Sequence, residues 1–191
     1  MAAELESILR TSWRSRPTPP SFDLGTVPPD LVSELPSDYV ALVQGFGGRE
    51  GFLGTGYLRL YRLEQLTALN LAYEVPERLP HVIVFGSNGG GEAYGFTSTG
   101  AVVRVPFLPL NHENVLLVAP SFGGLLSDLA RTGASPDSNP NSVGMEVHDK
   151  HPICLGGNPT DPSNKVLVPA AKHAELCRFW NKAYQDARRR S

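Results

Sequence analysis

Histidine and cysteine side chains with metal-ligating chemistry are concentrated towards the end of the sequence. His148, His151 and Cys154 follow one another at intervals of three residues, and His173 and Cys177 are four residues apart. A four-residue interval places two side chains on one face of a helix, and imidazole nitrogen and thiolate sulfur are typical zinc ligands. Strong zinc signatures contain close Cys-x-x-Cys pairs, which this sequence lacks. We therefore expect no metal and no other cofactor; a zinc site among these five residues is the alternative.

A second candidate for chemistry is the serine in "VLLVAPSFGGLLSDLA" (115–130). A strand, a serine and a helix resemble the nucleophile elbow of serine hydrolases, which normally has the pattern Gly-x-Ser-x-Gly. Here an alanine replaces the first glycine and a proline precedes Ser121. Asp137 with His148, His151 or His173 would complete a triad in the usual chain order. We favour the simpler role for Ser121, an N-cap that satisfies the first N–H groups of the helix.

A glycine-rich segment, "VIVFGSNGGGEAYGF" (82–96), raises the question of a phosphate site. A phosphate-binding loop requires a lysine after the glycines, and a dinucleotide fold requires a helix there. Neither condition is met, because Glu92 follows the glycines and the next residues alternate as strands do. Asn88 and Gly89 suit the positive φ angles of a hairpin turn. The segment therefore predicts a turn between two strands.

Composition excludes several classes of protein. The 191 residues are 41% hydrophobic and 19% charged with a net charge of −2, typical of a soluble globular protein without a basic field for nucleic acid. No apolar run is long enough to span a bilayer, and the arginines at 188–190 are too few for phosphate-driven binding. The acidic N-terminal stretch does not resemble a secretory signal. We expect a cytoplasmic protein with two free thiols and no membrane or nucleic-acid partner; the oligomeric state stays open.

Hydrophobic periodicity predicts an α+β fold. Apolar residues at helical spacing indicate helices at 3–13, 39–46, 63–75 and 170–187, and a further helix after Ser121. Alternation predicts strands at 56–61, 81–86, 92–96 and 101–107, with shorter strands in "NVLLVA" (114–119) and "KVLVP" (165–169). The short gaps between the middle strands require antiparallel hairpins. The prediction is a central, mostly antiparallel sheet flanked by N-terminal and C-terminal helices.

The predicted domain organisation has three parts. Residues 1–131 form the α+β domain with its N-terminal helix, and "TGASPDSNPNSVG" (132–144) has the small, polar composition of a flexible linker. Residues 145–191 form an extension whose strand and helix are expected to pack on the same domain.

Two stretches carry a resemblance to a known family. "LPSDYVALVQGFGGREGFLGTGYLRLYRLEQL" (35–66) resembles the opening of the SUKH superfamily, the Smi/Knr-type domain, with its Leu-Pro, acidic-Tyr helix, Gly-Gly stop, strand and Leu-x-x-Leu helix. The glycine-rich segment at 82–96 is similar to the second signature of that family. Residues 156–181 look like an extension seen in some bacterial members. The resemblance covers roughly residues 30–130, and no catalytic set belongs to it.

The resemblance implies a non-enzymatic binding scaffold. Many bacterial members look like immunity proteins that neutralise a cognate polymorphic toxin by direct binding, whereas fungal members act in cell-wall signalling. The expected partner is therefore a toxin domain, with a regulatory or housekeeping interaction module and a hydrolase using Ser121 as alternatives. Tyrosine and arginine are common interface hot spots, so we expect the partner to bind residues on the sheet, namely Tyr57, Arg59, Glu92, Tyr94 and Arg104, with Glu92 and Tyr94 on an exposed face.

Overall fold

A computed structural model describes residues 13–15, 27–46, 48–54, 56–131 and 144–190. Its strands are β1 (Trp13–Ser15), β2 (Glu50–Leu53), β3 (Gly56–Leu60), β4 (Val82–Ser87), β5 (Glu92–Thr97), β6 (Val102–Pro106), β7 (Leu116–Ala119), β8 (Met145–Asp149) and β9 (Lys165–Pro169). Its α-helices are α1 (Pro29–Glu34), α2 (Ser37–Phe46), α3 (Leu63–Ala72), α4 (Val75–Arg78), α5 (Phe122–Arg131) and α6 (Ala170–Arg190).

The main sheet is an antiparallel meander of seven strands. Their spatial order, β1 to β7, is the order in the sequence, and each described pair is antiparallel. Strands β8 and β9 form a separate antiparallel pair. The tight connections of β2 to β3, β4 to β5 and β5 to β6 leave no room for the crossovers that parallel pairing needs, whereas helices α3 and α4 lie between β3 and β4. The predicted α+β class and antiparallel sheet are confirmed.

Sequence and structure differ where local patterns are weak or broken. The predicted helix at 63–75 ends at Ala72, and the short helix α4 follows. Pro76 has no N–H with which to bond the carbonyl of Ala72, so the first helix cannot continue. Strands β2 and β8 escaped prediction because each is short and carries charged residues. Trp13 lies in β1 rather than in the predicted helix at 3–13, whose other residues lie outside the described part.

An aromatic cluster forms the centre of the core. Tyr39 of α2 lies 5.3 Å from Phe85, 5.1 Å from Phe96 and 5.2 Å from Phe122, measured between ring centroids. All four rings are at most 1% exposed. Because these rings come from α2, α5 and the two central strands, they attach both helices to the sheet.

The C-terminal helix belongs to the same core. Ala174 and Cys177 of α6 are buried in the cluster that contains the aromatic rings, and α6 contacts α3, β8 and β9. Asn181 ties the helix to the segment after β6: its Oδ1 accepts from Leu110 N at 2.9 Å and its Nδ2 donates to Phe107 O at 3.0 Å. The linker predicted at 132–144 lies outside the described residues except for Gly144, so the domain division stays a prediction.

Within the described part of the chain, no helix combines the length and the apolar character needed to cross a membrane.

Candidate functional site

The glycine-rich segment forms a tight turn between β4 and β5. Asn88 N donates to the carbonyl of Glu92 at 3.0 Å, and Asn88 Oδ1 accepts from the N–H groups of Gly90 at 2.9 Å and Glu92 at 3.1 Å. Gly89 and Gly91 have φ angles of +67° and +102°, which glycine adopts without strain. The predicted turn is confirmed, and N–H groups that a phosphate loop would present are used within the turn.

Two of the residues predicted to bind a partner, Tyr57 and Arg59, lie in a charged network beside this turn. The Tyr57 hydroxyl donates to Glu50 Oε2 at 3.3 Å. Arg59 lies between two carboxylates, with Nε 3.5 Å from Glu50 Oε2 and Nη1 3.0 Å from Glu146 Oε1. The Arg59 side chain is 15% exposed, so its guanidinium is engaged within the protein.

Glu146 was not anticipated as a central member of this network. Its side chain is 0% exposed, and it accepts from Ser87 Oγ at 2.8 Å and from the Tyr61 hydroxyl at 3.4 Å besides Arg59. Burial raises the pKa of Glu146, and the charge and hydrogen bonds around it, Arg59 first, oppose that rise. In β8 the buried residues are Glu146 and His148, whereas the apolar Met145 and Val147 are only half-buried. Alternation in the sequence would therefore have placed the opposite face of this strand inward.

The other three predicted partner-binding residues lie on β5 and β6. Arg104 Nε is 3.4 Å from Glu92 Oε1, and these side chains are 37% and 31% exposed. Tyr94 is directly opposite Arg104 in the register, but it is 5% exposed and its ring stacks on Phe85 at 6.4 Å. The expected exposure of Tyr94 is therefore wrong, because this position packs against the aromatic core. Burial also raises the pKa of Tyr94.

Three of the five candidate metal ligands come together inside the protein. The ligand atoms of His148, His173 and Cys177 all lie within 4.8 Å of one another, and all three residues are buried. The two imidazole rings are 5.2 Å apart and nearly perpendicular at 84°. Cys177 Sγ is 3.6 Å from His173 Nε2, and the Tyr73 hydroxyl is 2.9 Å from His173 Nδ1.

The environment of this cluster keeps its groups uncharged. Burial, reinforced by the proximity of His148 and Arg59, lowers the pKa of His173 to about 3. Burial also lowers the pKa of His148 and raises the pKa of the Cys177 thiol, to which the charge of Glu146 adds. At neutral pH the cluster therefore contains two neutral imidazoles and a protonated thiol.

The remaining two candidates do not join the cluster. His151 is exposed, with its ring 6.3 Å from that of Trp180, and Cys154 is half-buried. Both cysteines are free, as predicted.

A cavity of about 180 Å³ separates the glycine turn from the histidine cluster. Its wall includes acidic side chains, a basic side chain and both imidazoles of the cluster, namely Glu92, Asp149, Lys165, His148 and His173. The partly exposed Glu92 and the two buried histidines therefore line the same cavity.

Ser121 has the structural role that its sequence indicates. Its Oγ accepts from the backbone N–H of Gly124 at 3.1 Å, which caps the N-terminus of α5. Among the described residues, no histidine is hydrogen-bonded to its hydroxyl, and Asp137 lies outside that part of the chain.

Comparison with known proteins relates this chain to a protein family and to a solved structure. The SMI1 / KNR4 family (SUKH-1) matches residues 30–128. A crystal structure of the protein Atu4351 from Agrobacterium tumefaciens has a similar fold, with a TM-score of 0.60 at 15% sequence identity over 90% of this chain and 87% of that one. The sequence has no significant match among curated proteins. Since the family match extends over just over half of the chain, this protein belongs to the SMI1 / KNR4 family (SUKH-1).

Proposed function

We propose that this protein is a non-enzymatic binding scaffold and, more specifically, an immunity protein that neutralises a cognate toxin by direct binding in the cytoplasm. The observation that carries the proposal is the family match over residues 30–128, because SUKH domains in bacteria often act in this way. Two local features support a role other than hydrolysis. The hydroxyl of Ser121 caps a helix, and the charges of Arg59, Glu50 and Glu146 are paired with one another within the fold.

The surface around the glycine turn is the binding face we propose. The Tyr57 ring lies beside Gly89, where an added Cβ would be 2.9 Å from the ring, and Glu92 closes the other end of the turn by accepting from Asn88 Nδ2 at 2.7 Å. Arg104 lies beside Glu92. We define the turn surface as Tyr57, Gly89, Glu92 and Arg104.

The exposed fraction of each side chain and its internal ion pairs indicate which members of the turn surface can contact a partner. The Glu92–Arg104 pair is about one-third exposed, and such a pair contributes only about 0–1 kcal/mol to stability. Arg104 can therefore exchange Glu92 for a carboxylate on a toxin at little cost to the fold, whereas Glu92 also accepts from Asn88 within the turn. Arg59 and Tyr94, in contrast, are held by internal contacts, so they act by supporting the surface.

The test is co-expression of this protein with the C-terminal domain of a large secreted protein encoded next to it. Rescue of growth and co-purification are expected. Arg104→Ala should weaken the complex about tenfold or more, as hot-spot arginines do, while the fold is retained. Lys172→Ala is the matched control, because that lysine is 51% exposed on α6, outside the turn surface.

The two parts of the proposal fail separately. A toxin domain that is neither bound nor neutralised would remove the immunity function and leave a regulatory or housekeeping interaction module, to be sought by pull-down from lysate. If the Arg104→Ala and Lys172→Ala variants rescue growth equally well, the immunity function is retained. The interface must then lie outside the turn surface.

A further inference from the structure

We propose that His148, His173 and Cys177 form a zinc site that links β8 to the C-terminal helix α6 and whose fourth ligand is a water molecule from the adjacent cavity. Three protein ligands of the imidazole and thiolate types with water in the fourth position are a known arrangement for zinc, and the Cys177 thiol releases its proton to solvent as the ion binds. The site is independent of the toxin-binding function proposed above.

Distances within the cluster suit a tetrahedral ion. Zinc–sulfur bonds of about 2.3 Å and zinc–nitrogen bonds of about 2.0–2.1 Å place the two donor atoms about 3.6 Å apart at a tetrahedral angle. Cys177 Sγ is 3.6 Å from His173 Nε2 and 3.7 Å from Nδ1, so the thiol also has to turn towards the Nε2 side of the ring when zinc binds. Since all three ligand atoms lie within 4.8 Å of one another, the longest separation has to shorten by roughly 1 Å on binding. A small movement of the His148 ring supplies that change.

His148 provides an independent indication of a missing ligand. The residue is 3% exposed, and neither of its ring nitrogens has a hydrogen-bond partner among the described residues. Buried polar atoms are nearly always paired, and an unpaired one is unfavourable. A metal bound to one of these nitrogens satisfies that nitrogen, and a water molecule in the cavity that His148 lines can accept from the other.

The surroundings of His173 direct one nitrogen to the metal. The Tyr73 hydroxyl lies 2.9 Å from Nδ1 and 3.5 Å from the carbonyl oxygen of Ala170. With the proton on Nδ1, the imidazole donates to the Tyr73 oxygen while the hydroxyl donates to Ala170. This arrangement leaves the lone pair of Nε2 for zinc, and a hydrogen-bonded second nitrogen is the usual support of a ligating histidine.

Access to the site comes through the cavity. Both imidazoles line it, together with Glu92 at the outer wall. A volume of about 180 Å³ holds several water molecules at roughly 30 Å³ each. The fourth coordination position can therefore be filled by water without rearrangement of the core.

The experiment uses untagged protein, so that no added histidines bind metal. Zinc per chain is measured by elemental analysis, and the chelator-treated protein is titrated with Co²⁺, which gives thiolate-to-metal charge-transfer absorption when a cysteine coordinates. Cys177→Ser removes the sulfur ligand, and Cys154→Ser is the matched control because Cys154 lies outside the cluster. His148→Gln and the exposed His151→Gln form a second pair.

We expect about one metal per chain, charge-transfer absorption that Cys177→Ser abolishes and Cys154→Ser retains, and weaker binding in His148→Gln but not in His151→Gln. Zinc at a hundredfold excess over its Kd should raise Tm by roughly 5–10 °C. If a buried variant fails to fold, X-ray absorption of the wild-type zinc protein decides instead, with one sulfur, two imidazole nitrogens and one further light atom expected. Folded wild-type protein without cobalt charge transfer, or absorption that depends on Cys154, would overturn the proposal.

Discussion

Replacing Arg59 with leucine tests whether the buried network around Glu146 is a structural element. The Arg59 guanidinium is 3.0 Å from a carboxylate that is 0% exposed and also approaches Glu50 at 3.5 Å. Leucine keeps part of the apolar stem and removes the charge, which leaves Glu146 buried without its cation. Removing one partner of a buried ion pair costs about 3–5 kcal/mol. We expect a loss near the lower end, because Ser87 and Tyr61 still donate to Glu146.

The assay is urea unfolding followed by circular dichroism, in buffer with a chelator so that metal does not contribute. With a slope of about 2 kcal/mol/M, a loss of 3–4 kcal/mol lowers the midpoint by about 1.5–2 M. Glu146→Gln and the double variant complete a cycle, in which the double variant should recover roughly 2 kcal/mol relative to the sum of the single changes. Arg104→Leu is the matched control, since its carboxylate partner is 31% exposed, and should change stability by less than about 1 kcal/mol.

Two results would refute this reasoning. A loss below about 1 kcal/mol for Arg59→Leu would mean that solvent reaches the carboxylate and screens it. Additive single variants would mean that Arg59 and Glu146 do not interact energetically, whatever their separation.

Three further variants test local features. Gly89→Ala should cost about 1–3 kcal/mol in urea unfolding, because its φ is +67° and the new Cβ would meet the Tyr57 ring at 2.9 Å; Gly90→Ala should be nearly neutral, and equal costs would contradict the turn geometry. Asn181→Leu leaves two buried backbone groups unpaired and should lower stability by about 2–4 kcal/mol, whereas a neutral result would show that water replaces the amide. Ser121→Ala should lose about 1 kcal/mol of capping energy, and a fluorophosphonate probe should label neither form; labelling that requires Ser121 would restore the hydrolase alternative.

Features that depend on neighbouring residues were predictable from the sequence. Alternation of apolar residues predicted the central strands, and glycines suited to positive φ angles predicted the turn. The Ser121 cap was predictable because its hydroxyl lies three residues before the N–H group that it binds. Their interactions extend over a few residues, so the periodicity of the sequence contains the information. Strand β2 escaped because two apolar residues among four give too little alternation.

The candidate site could be predicted only in part. The sequence identified the five soft ligands, yet it could not select His148, His173 and Cys177, which come from a strand and a helix that meet in the fold. Tyr94 illustrates the opposite error: alternation assigns it a face of the sheet, but whether that face meets solvent depends on what packs there.

The sequence by itself determined most of the local elements and the antiparallel hairpins of the central strands, since these follow from short-range periodicity and turn chemistry. Its resemblance to known SUKH domains indicated the family. The tertiary structure alone decided which polar groups are paired and buried. Arg59 meets Glu146 across 87 residues and Tyr73 meets His173 across 100. Such contacts arise when β8 and α6 pack on the rest of the core, because burying apolar surface brings distant segments together and requires the polar groups carried with them to find partners.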